Sequence, residues 1–279
     1  MKKIISIFLF LLFSQELFPQ QSKAFQLIRA MQDSIEAIRT LRLKIVAVER
    51  IKDGYHKVVS ENKIQVKPRK FYLVNREKKL EILYVEGENG NKAIVKPNVF
   101  PYLTLKLNPL GSLMRKNQHY SIHEVGFGFV GKTIELAFSK EKENMEKSVS
   151  YLGLQLKNGI RCHLFVYETK NFIYTDYATK ENETVADIAS KLHVNDYIIR
   201  SKNNLYEEFG ALKPGTKLKV SIYYCKKAVF YLDEKTMLPV SVSVFDDTGL
   251  LENYDFVDVI VNKPIDSKEF TQDYKDYHF

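Results

Sequence analysis

From Leu41 to about Tyr174 apolar and polar residues alternate with a period of two, stretch after stretch: "KVVSENKIQV", "RKFYLVN", "EILYVEG", "NKAIVKP" and "GIRCHLFVYETKNFIYTDY". Such alternation puts successive side chains on opposite faces of a strand. The segment is therefore expected to form an antiparallel sheet with one buried face, its turns marked by "KDG" at Asp53, "GENGN" at Gly87 to Asn91 and "KNG" at Asn158. The stretch from Pro97 to Pro109 is less regular. Ahead of the strands, Phe25, Ile28, Met31, Ile35 and Ile38 recur at spacings of three and four, one stripe of an amphipathic helix. "SKEKENMEKSVSYLGLQL", with caps and charges and no strand pattern, is expected to be a further helix. At 279 residues the chain can bury a core in one or two domains.

The first residues, "MKKIISIFLFLLFSQELFPQQ", combine Lys2 and Lys3 with an apolar run, Ile4 to Phe13, that is short for a bilayer span. They read as an export signal over residues 1–21, with a retained anchor as the alternative. No cysteine lies near the cleavage site to accept a lipid, so a soluble protein of the periplasm or envelope of a Gram-negative bacterium is expected. Export removes the chain from the cytoplasmic nucleotide pool, which bears on "GFGFVGKT", Gly126 to Thr133. The octapeptide fits both G-x-G-x-x-G and G-x-x-x-x-G-K-T. Those motifs need a buried strand before and a helix after, within repeated βαβ units. Here "SIHEV" and "KTIELAF" both alternate, so the glycines are expected to relieve a bend between two strands, with no nucleotide bound.

His119 and His123, with Glu124, have the spacing of zinc ligands on a helix, but no helix is expected there and no metal is assigned. No catalytic motif and no cofactor signature is present, and Asp233, Asp246 and Asp247 read as turn residues. Residues 21–174 carry 27 basic and 15 acidic side chains, a basic face suited to anionic headgroups or cell wall; nucleic acid is a poor partner for an exported chain.

Between Tyr177 and Tyr224 the texture changes. Thr184 can cap a helix carrying Val185, Ile188, Ala189 and Leu192; a second short helix holds Tyr197, Ile198 and Ile199; "KPGTKLKV" turns into a strand. This βααβ order resembles a LysM domain, a module that binds N-acetylglucosamine glycans such as peptidoglycan. The likeness rests on Asn182, Glu183, Thr184, Val185, Ile188 and Ala189, on Asn203, Asn204 and Leu205, and on Leu212 to Val220. Asn182 and His193 stand where glycine is usual, and both tolerate positive φ. The resemblance implies a glycan groove between the loop Glu181, Asn182, Glu183, Thr184, Val185 and the segment with Asn203, Asn204, Leu205, Leu212, Lys213 and Pro214. The alternative is a unit of the same shape that has lost its ligand.

The C-terminal section resembles the closing hairpins of the LolA-like family through Leu232, Asp233, Leu238, Pro239, Val240, Asp247, Thr248, Gly249, Tyr254, Phe256, Asn262 and Phe270. The expected fold class is thus α+β: a LolA-like open antiparallel β-barrel clasped over helices (residues 22–174 and 223–279) with a βααβ LysM unit inserted at 175–222. Strands Cys162–Tyr174 and Ile222–Leu232 should pair on either side of the insertion, Tyr174 opposite Tyr223. Cys162 and Cys225 are then too far apart for a disulfide. The resemblance implies an apolar interior able to hold a lipid or lipoprotein acyl chain. The alternatives are an envelope glycan-processing enzyme, marked by carboxylates converging in a polar cleft, and a structural protein filled by its own side chains.

Overall fold

The computed structural model describes residues 23–52, 54–131, 133–134 and 145–279. The export segment lies outside them. Helix α1 (Lys23–Glu36) buries Ala24, Leu27, Ile28, Met31 and Ile35, so the stripe begins at Ala24, with Phe25 half-buried at its edge. The strands that follow are β1 (Thr40–Ile51), β2 (Gly54–Gln65), β3 (Lys70–Asn75), β4 (Leu80–Val85), β5 (Ala93–Pro97) and β6 (Leu105–Leu107). After two single-turn helices, α2 (Ser112–Arg115) and α3 (Met145–Ser148), come β7 (Val149–Lys157) and β8 (Ile160–Glu168). A two-stranded unit follows: β9 (Tyr174–Ala178), α4 (Val185–Leu192), α5 (Asp196–Lys202) and β10 (Lys217–Ser221). The chain closes with β11 (Lys227–Asp233), β12 (Pro239–Asp246) and β13 (Gly249–Val261).

Eleven of these strands form one antiparallel sheet in the order β6-β5-β4-β3-β2-β1-β13-β12-β11-β8-β7, open at β6 and β7. The apolar phase of each strand faces one continuous core, where Leu41, Leu43 and Ile45 of β1, Phe71, Phe165, Phe230 and Leu251 meet the buried stripe of α1. On the opposite face of β3 to β5, Tyr72, Leu83 and Ile94 are covered by Phe270 and the C-terminal tail, with Tyr277 stacked on Tyr72 at 3.7 Å.

Two expectations are corrected. "SVSYLGLQL" is not helical: after the single turn Met145–Ser148 it becomes β7, paired with β8, because partner strands override a weak local helical preference. Nor is "GFGFVGKT" a bend between strands. Residues 122–127 are turns and 128–131 and 133–134 are helical; the remainder of "KTIELAF" lies outside the described residues. Gly126 is needed at its φ of +111°, where a Cβ would also stand 3.3 Å from Ile64 Cδ1. That turn drives Phe127 into the core against Phe256, ring centroids 4.8 Å apart.

Around the βααβ unit the expected register is off by two. Tyr174 pairs with Ser221, and Lys227 with Glu168 across β8 and β11, so one register runs through both sheets. Cys162 lies opposite Asp233, and both thiols are free and buried. Within the unit, Val185, Ile188, Ala189, Ile199, Leu218 and Val220 make a small core of their own. Thr184 caps α4 reciprocally with Asp187, and His193 ends that helix in the left-handed region at φ 54°, as Asn182 does before it at φ 59°. Thr184→Ala is expected to lower stability by about 1 kcal/mol, read as a fall in the urea midpoint at unchanged slope.

Candidate functional site

β1 and β13 are neighbours in a register that sets Glu49 directly opposite Glu252. Like charges so placed repel, and both side chains are buried, Glu252 being 1% exposed. The segment after α2 supplies the compensation. His119, also 1% exposed, places Nδ1 2.6 Å from Glu252 Oε2 and Nε2 2.9 Å from the Arg50 carbonyl, and its backbone N–H donates to Glu49 Oε2 at 3.2 Å. Each ring nitrogen faces an acceptor, the arrangement of an imidazolium with two N–H donors. Burial pushes the His119 pKa down, but Glu49 and Glu252 outweigh it and hold it up at about 9.

Tyrosines complete the cluster. Tyr254 donates to Glu49 and Tyr120 to Glu252. With its one proton so used, Tyr120 must accept from Tyr224 at 2.6 Å, and Tyr224 in turn accepts from Asn195 Nδ2 at 3.1 Å. Burial, reinforced by the Glu252 carboxylate, raises all three phenols well above their ordinary range, so they remain neutral donors. Asn195 can close this chain because its Oδ1 is committed elsewhere, capping α5 through the N–H groups of Tyr197 and Ile198. The βααβ unit is therefore bound into the cluster. Tyr197 stacks on His119 at 4.0 Å, and Asp196 pairs with buried Arg115 at 2.9 Å and with Arg200 at 2.5 Å. From the other side Asp247 accepts from Tyr174 at 2.7 Å and pairs with Lys202 at 3.0 Å.

The cluster stands at the end of an apolar cavity of about 50 Å³, walled by Phe129, Val130, Phe165, Phe230, Val242 and Val244, with Tyr120, Tyr224, Tyr254 and Glu252 at its polar end. A groove of about 720 Å³ runs between the 115–133 segment and the helices of the βααβ unit. Tyr120, Phe129, Thr133 and Tyr224 line both spaces, so the groove and the cavity adjoin. Its rim carries Arg69, whose guanidinium holds the carbonyls of Ile122 and Val125 at 3.0 and 2.8 Å, and Glu124, whose carboxyl burial raises in pKa although Ser121 donates to it twice.

His119 and His123 do not act together: His123 stands edge-on to Tyr84, ring centroids 5.0 Å apart, away from the carboxylates. Among the described residues no group of three or more metal-ligating side chains occurs. Asp233 and Asp246 accept from turn N–H groups of Lys235, Thr236 and Thr248, as turn residues do, although Asp246 also pairs with Arg50.

Of the glycan-groove residues, the structure joins the two loops directly: the Leu212 N–H donates to the Glu183 carbonyl at 2.9 Å, beside a bridge between Thr184 and Ala211. Val185 is core, with Leu205 and Leu212 packed against it. Asn203 is occupied by the Ile199 carbonyl and both backbone groups of Lys219, Glu183 by Tyr177 and the Lys180 N–H, and Thr184 by its cap. Glu181, Asn182, Asn204, Lys213 and Pro214 are not buried. The carboxylate cluster itself escaped the sequence reading. Its signal was present: Glu49 is in phase with Leu41, Leu43 and Ile45 on the buried face of β1, as Glu252 is with Tyr254 and Phe256 on β13.

An open antiparallel sheet with a small βααβ unit across a groove from the 115–133 segment defines an α+β fold without the repeated βαβ units of a nucleotide fold. The chain belongs to the family described as "Protein of unknown function (DUF1571)", whose model matches residues 40–209, from β1 through α5 and short of β10 and Glu252. No curated protein matches it. Among solved structures it is similar to lipoprotein LppX of Mycobacterium tuberculosis (10% identity, 88% of this chain and 99% of that chain, TM-score 0.41). It is also similar to a chain of the MucA/MucB complex of Pseudomonas aeruginosa (9% identity, 90% of this chain but only 61% of that chain, TM-score 0.40). LprF of Mycobacterium bovis gives 10% identity over 87% of this chain and 94% of that chain, with a TM-score of 0.33. At these values no ligand, partner or activity transfers from them.

Proposed function

We propose that this is a non-enzymatic envelope protein that binds an acyl-chain amphiphile, with the polar head in the groove and the chain directed into the apolar cavity. The observation that carries the reading is that the two spaces adjoin, with Tyr120, Phe129, Thr133 and Tyr224 as their shared wall. A site between two structural units, polar along the groove and apolar at its end, suits a molecule with both characters. The resemblance of the C-terminal hairpins to LolA-like proteins and the export-type N-terminus point the same way. An enzyme acting on envelope glycan would need free carboxylates, whereas Glu49 and Glu252 accept from Tyr254, Tyr120 and His119.

The cavity of about 50 Å³ is a third of the roughly 150 Å³ that accommodates benzene, so a chain must open it. That size favours, as a second reading, a structural protein filled by its own side chains. Displacement of a fluorescent fatty acid separates the two. Binding to the full chain that weakens at least about tenfold in Val244→Phe, a filled cavity with an expected overpacking cost of about 1–3 kcal/mol, supports the ligand reading. Absence of binding leaves the filled-core reading.

The βααβ unit, residues 175–222, is proposed as a LysM-type insertion that holds the protein to peptidoglycan. Its support is the element order and the accessible loop residues Asn182, Asn204 and Lys213. Co-sedimentation with purified sacculi tests it: the intact chain should pellet, and N204D/K213E, which places carboxylates against an anionic polymer, should stay in the supernatant. Equal pelleting of both forms would remove this half of the proposal.

A further inference from the structure

The segment joining β5 to α2 leaves large apolar side chains in water. Phe100 is 85% exposed and Leu113 77%, and Val99, Tyr102, Leu103 and Leu110 are also exposed. Scattered apolar residues on a surface need no explanation, but seven within fifteen positions, Leu105 included, are a concentration of them. The patch is held by its base. Tyr102 N–H closes a turn onto the Val99 carbonyl at 2.7 Å, Lys96 Nζ donates to the Tyr102 carbonyl at 2.5 Å, β6 pairs with β5, and Arg115 is anchored to Asp196.

Along this stretch of chain the charge is one-sided. Between Glu88 and Glu124 there is no acidic residue, while Lys92, Lys96, Lys106, Arg115 and Lys116 fall within that interval. Arg115 is spent on Asp196 and Lys116 pairs with Glu207 at 2.9 Å, which leaves Lys96 at the loop and Lys92 and Lys106 along the β5–β6 ladder below it.

We propose that this loop docks on the surface of an anionic phospholipid bilayer, with Phe100, Leu103 and Leu113 entering the headgroup boundary and the lysines lying against the phosphates. Leucine and aromatic side chains ringed by lysine are what such a boundary accepts. Each lysine near an anionic surface gains from its potential. Another protein strand is a poorer occupant, because β6 is only three residues long at this edge of the sheet. The docking does not depend on the ligand proposed above. Leu110 and Arg115 line the groove as well, so the same contact turns the groove toward the membrane.

The chain has no tryptophan, so Phe100→Trp in the full-length protein gives indole emission from the loop alone, whatever the N-terminus does. With vesicles of phosphatidylglycerol and phosphatidylethanolamine the emission should shift to the blue and become protected from acrylamide, and both effects should weaken at high salt. Adding Lys92→Glu and Lys106→Glu should raise the lipid concentration needed by at least about tenfold. Leu156→Trp in an otherwise native chain, on the opposite sheet edge and 75% exposed, should show no shift. The proposal is overturned by an unshifted spectrum of the Phe100→Trp variant, by an equal shift with neutral phosphatidylcholine vesicles, or by an equal shift in the Leu156→Trp control. It is also overturned by a concentration-dependent shift without lipid, which would assign the loop to a second copy of the chain.

Discussion

Replacing His119 by leucine is expected to destabilise the fold by about 3–5 kcal/mol, the cost of removing one partner from a buried charge cluster. Leucine fills the volume yet leaves Glu49 and Glu252 opposite one another with no cation between them. Removing charge as well should recover part of the loss, so H119L/E252Q is expected to unfold at higher urea than H119L alone. The wild type should also reveal the imidazolium through pH. Its folded pKa of about 9 lies above the 6.5 of a free histidine, so its contribution is complete below about pH 6.5 and disappears as pH rises through 9. At about 1.4 kcal/mol per unit, the fall across that window is on the order of 3 kcal/mol. H119L should lack this component, and a wild-type stability that stays flat over the same window would contradict the charged state assigned to His119.

Excising residues 175–221 and joining the ends by a short turn is expected to cost at least about 5 kcal/mol, comparable with the whole stability of many domains. The βααβ unit has a core of its own, but Tyr197 and Ile198 are buried in the main core, each contributing about 1.5–3 kcal/mol. Excision also strips buried Arg115 of Asp196 and Tyr224 of Asn195. The shortened chain should show early urea unfolding or fail to fold, and for that reason the sacculus test uses accessible point substitutions. A shortened chain with a native urea midpoint would mean that the cluster stands without the unit.

Much of the fold was legible because it is local. Period-two alternation marked β2 to β5 to within a few residues and found β8, although the strand expected to run from Cys162 to Tyr174 ends at Glu168 and a separate strand begins at Tyr174. Thr184, Asn182 and His193 announced a capped helix and two left-handed positions through their own chemistry. Misreadings fell where a partner decides. "SVSYLGLQL" is a strand because β8 lies beside it, and the glycines of "GFGFVGKT" open a helix because Phe127 is drawn into the core. Within the βααβ unit the Asn203 amide joins α5 to β10, a link that no local pattern announces.

Most of the strands, the residues that can turn, and the βααβ unit that interrupts the sheet follow from side-chain periodicity and backbone preference, with β7 the exception. That β13 lies beside β1 in the register that brings Glu252 to Glu49, and that His119, Tyr120 and Asn195 come from further places in the chain to satisfy them, is settled by long-range pairing. Strand order and register arise from pairing between residues far apart in the chain. No local pattern carries that information, and the charged cluster at the mouth of the cavity exists only once the pairing is made.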